Sequence, residues 1–193
     1  MNEKEKSLFL TLPNILSLLR ILLIPVFMMA MIQRKAFEAL AIFTLAGLTD
    51  VLDGFTARIW RQKTKIGVFL DPAADKLLLT PSFILLSLPS LSSPNLIPIW
   101  LTVLVIGRDV LIALGSLIIY RLGNLKIFYP SLLGKATAVC QVGTVFLVLF
   151  LNYLGISFPY LKWVFYLTFA ATLLSGIHYS VFGLKQIFEP RKS

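Results

Sequence analysis

The sequence predicts an all-α integral membrane protein: six transmembrane helices, with both termini in the cytosol. Three observations carry that prediction. Apolar residues make up 58% of the 193 residues, and the mean hydropathy is +0.86. That composition belongs to a bilayer-embedded chain, not a soluble domain. Apolar runs near the roughly 20 residues that a helix needs to cross the hydrocarbon core recur six times. The basic residues are also unevenly placed. With the N-terminus inside, the inner segments hold twelve Lys and Arg and the outer ones only three, Arg34, Lys35 and Lys162. Arg20, Lys76 and Arg108 fall within spans. This bias fixes the orientation.

Each element has its own grounds. Residues 1–11, with Lys4 and Lys6, form a cytosolic lead-in. No cleavable leader is expected, because the first apolar run is long and lacks a small-residue cleavage site. That run spans about 12–33, and Pro25 is expected to kink it. Arg20 lies within it and either snorkels to the interface or meets a buried anion. The second span runs about 36–60. Asp50 lies ten residues before Trp60, roughly 15 Å along a helix, which places it near headgroup depth. A basic loop of Arg61, Lys63 and Lys65 follows. The third span runs about 67–91 and ends in an uncharged hairpin, 89–98. The fourth, about 98–121, carries Arg108 and Asp109. The fifth, about 131–153, has Lys135 one turn in. The sixth, about 160–184, contains His178, expected as a polar packing residue, and leads to a basic tail, 185–193. Tyr and Trp near the span ends read as interface anchors. One domain over 1–193 is the expectation. The single Cys140 excludes an internal disulfide and lies in an apolar run. The net charge of +9 is spread over the connections, so it points to anionic lipid and not to nucleic acid.

The chemistry concentrates in residues 50–75, which hold four of the five aspartates. Asp50, Asp53, Gly54, Ala57 and Arg58 recur at i, i+3, i+4, i+7 and i+8, one stripe of an α-helix. Gly67, Asp71 and Asp75, each four apart, form a second stripe. Two helices meeting along these stripes bring four carboxylates together at the cytosolic ends of spans two and three. Such a cluster calls for hard divalent cations, Mg²⁺ or Mn²⁺, which prefer oxygen ligands. The small residues leave room for close approach. Taken alone, Asp71-Pro72 also suits an ordinary helix cap with proline at the first helical position. That reading leaves Asp50 and Asp53 unexplained. A metal site at the cytosolic surface suits phosphoryl chemistry on a lipid substrate.

The pattern D-x2-D-G-x2-A-R-x8-G-x3-D-x3-D resembles the signature of the CDP-alcohol phosphotransferases, and all eight specified positions match. The resemblance implies an enzyme of phospholipid biosynthesis. It would transfer a phosphatidyl group from CDP-diacylglycerol to an alcohol and release CMP, with two divalent cations. It implies that Asp50, Asp53, Asp71 and Asp75 hold the metals and that Asp75 is also the general base. Asp50, Asp53, Gly54, Ala57, Arg58 and Gly67 would bind the CDP-lipid. Leu12-Pro-Asn-Ile-Leu-Ser-Leu-Leu-Arg20 with Pro25, and Phe69-Leu-Asp-Pro-Ala-Ala-Asp-Lys76, are similar to the phosphatidylglycerophosphate synthases, whose acceptor is glycerol 3-phosphate. Ala46-Gly-Leu-Thr-Asp50, Gly107-Arg-Asp-Val-Leu-Ile112 and, in part, Pro130-Ser-Leu-Leu-Gly-Lys135-Ala-Thr137 are similar to the cardiolipin synthases, which use phosphatidylglycerol. The opening favours glycerol 3-phosphate. Both acceptors are anionic, and Arg108 and Lys135 are the candidate acceptor-phosphate contacts. A homodimer in a bacterial inner membrane, with the site facing the cytosol, completes what the family implies.

Two other classes also collect carboxylates in membranes. An intramembrane prenyltransferase would set its two acidic motifs far apart in sequence, whereas here they share one hairpin. A divalent-cation transporter would carry acidic groups on several spans. Spans one, five and six have none.

Overall fold

The computed structural model describes residues 12–59, 67–121 and 132–188, with side chains over 19–49, 76–115 and 132–181. Among the described residues there are six α-helices and no strand: α1 (Leu12–Ile32), α2 (Ala36–Ile59), α3 (Gly67–Ser87), α4 (Ile99–Arg121), α5 (Leu132–Leu154) and α6 (Leu161–Phe188). The helices fall where the apolar runs place them. α1 continues through Pro25. α3 stops four residues before the expected 91. Pro89 explains this, because a proline ring disfavours helical backbone in the residue before it. Within the described residues, Leu132–Leu154 and Leu161–Val181 are long and apolar enough to cross a membrane, and Leu19–Ile32, Ala36–Thr49 and Lys76–Ser87 are shorter apolar stretches.

The helices group into two compact units. The first unit comprises the chain to Leu96 together with Val145–Ser157. Here α1 packs on both α2 and α3. Ala39, Phe43 and Ala46 recur at i, i+4 and i+7 on α2, and all three are buried. The two alanines let the helix backbones approach, and Phe43 fills the space beside Phe27, with ring centroids 6.1 Å apart. Phe83 and Leu86 of α3 complete this core. Arg20 is only 1% exposed, so it does not snorkel. It is buried in this unit.

Two helix ends in the first unit use the same turn. After α1, Arg34 N–H donates to Met31 O and Lys35 N–H to Ala30 O. After α5, Gly155 N–H donates to Asn152 O and Ile156 N–H to Leu151 O. This paired closure needs a left-handed residue just past the helix. Gly155 supplies it at φ 67° and Arg34 at φ 56°. An arginine there costs roughly 1–2 kcal/mol that glycine does not.

A polar knot then fixes the connection after α3. Asn152 Oδ1 accepts from Asn95 N–H at 2.8 Å and from Asn95 Nδ2 at 3.0 Å. Asn152 Nδ2 donates to Ser92 Oγ at 2.9 Å and to Asn95 O at 3.0 Å. Asn95 Nδ2 also donates to Ile156 O, and Ser92 Oγ to Asn95 O. Ser92 and Asn95 are buried, so these bonds satisfy groups that water cannot reach.

The second unit comprises Ile97–Thr144 and the chain from Phe158. α4 packs against α6. Thr137, Gln141 and Thr144 form a buried polar stripe on α5, and Thr168, Thr172 and Ser175 form another on α6. Thr144 and Thr168 share a 2.7 Å hydroxyl–hydroxyl bond. Thr137 Oγ1 lies 2.9 Å from Ala171 O. Large apolar side chains point the other way: Leu132 is 84% exposed, Val139 72% and Leu167 63%. Apolar surface outside and hydroxyls between helices is the pattern of a chain solvated by lipid, where small polar residues glue helices together. Trp100, Trp163 and Tyr166 form a contiguous exposed aromatic group, as interface anchors do.

Asn152 is the hub of the knot, so Asn152→Ala should lower stability by about 2–4 kcal/mol, the cost of leaving more than one buried group unsatisfied at roughly 1–3 kcal/mol each. Thermal unfolding in detergent measures this. An unchanged midpoint would mean that the knot contributes nothing.

Candidate active site

Asp50 and Asp53 sit in the last ten residues of α2, which runs unbroken from Ala36 to Ile59, and Gly54, Ala57 and Arg58 continue the same helix. The helical register that the spacing requires is therefore present in the backbone. α3 begins at Gly67 itself. Asp71 follows four residues later and is inside the helix, so the ordinary cap reading of Asp71-Pro72 does not hold. Asp75 comes one turn further on. Counting helical rise, Asp50 lies roughly 14 Å from the end of α2, and Asp75 roughly 12 Å from the start of α3. All four aspartate positions thus occupy one end of the first unit, the end at the 59–67 connection. The side chains of all eight motif residues lie outside the described residues, as does the basic loop of Arg61, Lys63 and Lys65.

Arg20 belongs to the same end. α1 closes at Ile32 and α2 opens at Ala36, so equal rises from the turn place Arg20 level with about residue 48. That is within a turn of Asp50. The sequence offered two readings of this arginine, and its burial selects the buried one. An arginine kept from solvent needs anionic or polar partners.

Arg108 and Lys135 lie in the second unit. Arg108 Nη1 donates to Asp109 Oδ1 at 2.7 Å, and both side chains are little exposed, at 11% and 13%. Arg108 Nη2 donates to Ser175 Oγ at 2.6 Å, and the guanidinium carbon stands 5.6 Å from the centre of the Tyr179 ring. Gly176 lies beneath it, where an added Cβ would meet Arg108 Cγ at 3.5 Å. Its Nε is buried with no hydrogen-bond partner among the described residues. The cation is therefore already partly compensated within the protein, by Asp109, Ser175 and the Tyr179 ring. Sequence reasoning missed Ser175 and Tyr179. Their signal was the Thr168, Thr172, Ser175, Tyr179 stripe at helical spacing on α6. Lys135 is exposed at the start of α5. His178 is exposed beside Tyr179, with ring centroids 5.9 Å apart. It is not the packing residue expected from sequence, because it falls one position off the buried stripe of α6.

Comparison with known proteins bears on this arrangement. Residues 10–174 match the family model described as CDP-alcohol phosphatidyltransferase. The cardiolipin synthase (CMP-forming) of Rattus norvegicus is 47% identical over 103 residues, 53% of this chain and 32% of that protein. The probable cardiolipin synthase (CMP-forming) of Drosophila melanogaster is 34% identical over 92% of this chain and 59% of its own length. The CDP-diacylglycerol–glycerol-3-phosphate 3-phosphatidyltransferase of Aquifex aeolicus is 30% identical over 93% of this chain and 99% of its length. The chain thus spans about a third of the rat protein and 59% of the fly protein.

The Arg108–Asp109 pair is largely shielded from solvent and hydrogen-bonded, so breaking one side strands the other. Asp109→Asn should destabilise the protein by about 3 kcal/mol. Asp109→Asn combined with Arg108→Gln should cost less than the sum of the two single changes. Additive costs in a double-mutant cycle of thermal unfolding would show that the two side chains are not coupled.

Proposed function

The chain belongs to the CDP-alcohol phosphatidyltransferase family, and from that premise we propose that it transfers a phosphatidyl group from CDP-diacylglycerol to the hydroxyl of an anionic glycerol-based acceptor, releasing CMP. The observation that carries this reading is the placing of all four aspartates of the eight-position motif at one end of the α2–α3 pair.

The donor set fits two hard divalent cations: four carboxylates, with no sulfur or imidazole among the motif residues. Asp50, Asp53, Asp71 and Asp75 would hold them. Bound Mg²⁺ or Mn²⁺ would neutralise the pyrophosphate and stabilise the departing phosphate. Asp75 takes the proton from the acceptor hydroxyl. That oxygen attacks the phosphorus bearing the diacylglycerol, the phosphorus–oxygen bond to CMP breaks, and CMP leaves with the bonding electrons. Gly54, Ala57 and Gly67 leave room for the cytidine, and Arg58 holds the adjoining part of the nucleotide. Arg20, buried and level with Asp50, balances the local negative charge.

All six helices cross the membrane in this reading, with both termini and the aspartate end on the cytosolic side, where charged nucleotides are found. A bacterial inner membrane and a homodimer follow from the family resemblance. Lys135 and Arg108 are assigned to the acceptor's phosphate.

Two acceptors each have an observation in their favour. Phosphatidylglycerol is favoured by the higher identities, 47% to the rat and 34% to the fly cardiolipin synthase. Glycerol 3-phosphate is favoured by the full-length match to the Aquifex aeolicus enzyme and by residues 12–20. We place phosphatidylglycerol first.

CMP release by purified protein with CDP-diacylglycerol and each acceptor in turn tests both levels. CMP should appear with one acceptor and not the other. EDTA should stop it, and added Mg²⁺ or Mn²⁺ should restore it. Asp53→Asn should reduce it below detection, because the change removes a ligand's charge at almost constant size. Full activity in that variant would remove the site assignment. Lys135→Gln should weaken acceptor use about tenfold or more, the loss of one charge-assisted contact, with CDP-diacylglycerol affinity unchanged.

A further inference from the structure

The first unit carries a second polar feature, at the end of α2 and α3 away from the aspartates. A cavity of about 110 Å³ opens there, several-fold more than the roughly 10–15 Å³ that one water needs. Its polar lining is Arg34, Lys35, Ser90, Ser93 and Asn152. Met31 and Leu149 contribute an apolar floor. No carboxylate lines it. Glu38 pairs with Lys35 at 3.0 Å, but both side chains are half exposed, so that pair is weak and leaves the ammonium able to turn inward. The cavity is remote from the motif. Ala36, on its wall, is fourteen residues from Asp50, roughly 21 Å along α2.

The walls are built and not incidental. Asn152 is the hub of the polar knot that fixes the connection after α3. Arg34 stands in a left-handed position, φ 56°. The same turn after α5 uses Gly155 at φ 67°. Of the two left-handed residues, Arg34 lines the cavity and Gly155 does not. A strained residue of this kind is a pointer to function.

We propose that this cavity seats the phosphate of an anionic phospholipid from the leaflet opposite the aspartates. Two cations and two hydroxyls suit a phosphate's oxygens, while Asn152, whose two amide hydrogens are held in the knot, fixes the wall, and the charge balance favours a headgroup without its own cation. The occupant is a lipid and not a free anion, because the flanks are greasy. Ile32, Phe37 and Leu88, each next in sequence to a lining residue, are exposed, and Phe37 lies against Tyr153 with ring centroids 5.5 Å apart. These surfaces can cover acyl chains. The choice of leaflet rests on the membrane orientation given under Proposed function. The binding site itself does not depend on the reaction.

The test uses the full chain in detergent with dioleoyl phosphatidic acid, which lacks an acceptor hydroxyl and so cannot turn over. Lipid retained is counted by native mass spectrometry for the wild type, Arg34→Gly and Lys35→Gln. Dioleoyl phosphatidylcholine and inorganic phosphate serve as competitors. The wild type should retain phosphatidic acid against both competitors. Each variant should bind one phosphatidic acid about tenfold more weakly, while CMP release at saturating substrate stays normal. Glycine suits the turn, so Arg34→Gly should be at least as stable as the wild type. Retention in Arg34→Gly equal to wild type would overturn the proposal. So would displacement by inorganic phosphate, which would make this a soluble-anion site. Lost stability in Arg34→Gly together with normal binding in Lys35→Gln would make Arg34 structural and also overturn it. A chain that binds phosphatidic acid here yet releases no CMP would leave the cavity standing and the proposed reaction fallen.

Discussion

Four like charges at one end of two helices are the constraint on which this chain turns. Carboxylates in an apolar protein are costly unless cations or strong donors compensate them. The positions of Asp50, Asp53, Asp71 and Asp75 on α2 and α3 give no escape by distance along the backbone. In the proposed reaction, compensation comes from divalent cations and from nearby basic groups. Arg20, buried at the same end of the first unit, and Lys76, next to Asp75 on α3, are the described cations at that end. The small residues Gly54, Ala57 and Gly67 fit the same proposal, in which metals and a pyrophosphate need space among the charges.

The rest of the molecule is arranged to hold helices without a hydrophobic effect between them. In lipid, apolar contacts alone do not distinguish one helix pairing from another, and small or polar residues supply the difference. The second unit does this with hydroxyls, through the Thr144–Thr168 bond and the bond from Thr137 to the α6 backbone. The first unit does it with alanines on α2 beside Phe27 and Phe43, and with the Ser92, Asn95 and Asn152 knot. The two units therefore answer one problem with different chemistry.

Much of this was legible in the sequence. Helix positions followed from apolar runs bounded by charges and prolines, and the ends agree within a few residues. Two ends differ by four residues: α6 runs on to Phe188, and α3 stops early at Ser87 before Pro89, whose effect on the preceding residue is local and readable. The motif spacing gave the helical register of the aspartates, and α3 starting at Gly67 settled that Asp71 is no cap. Pairings between distant residues were not legible. Nothing in the sequence links Arg108 to Ser175 or Asn95 to Asn152, because those contacts depend on how helices pack. The conformation of Arg34 was hidden for a similar reason. A left-handed residue is foreseen when it is glycine, as at Gly155, and not when it is arginine.

The most direct measurement is of metal on the protein itself, apart from turnover. Mn²⁺ bound by purified protein with CDP-diacylglycerol, and without acceptor, can be counted by electron paramagnetic resonance. The wild type should bind two ions per chain. The double variant Asp50→Asn, Asp71→Asn should bind none tightly, with its helical circular dichroism unchanged. Equal Mn²⁺ binding by that variant and the wild type would contradict the account, because the four carboxylates would then not be what holds the metal.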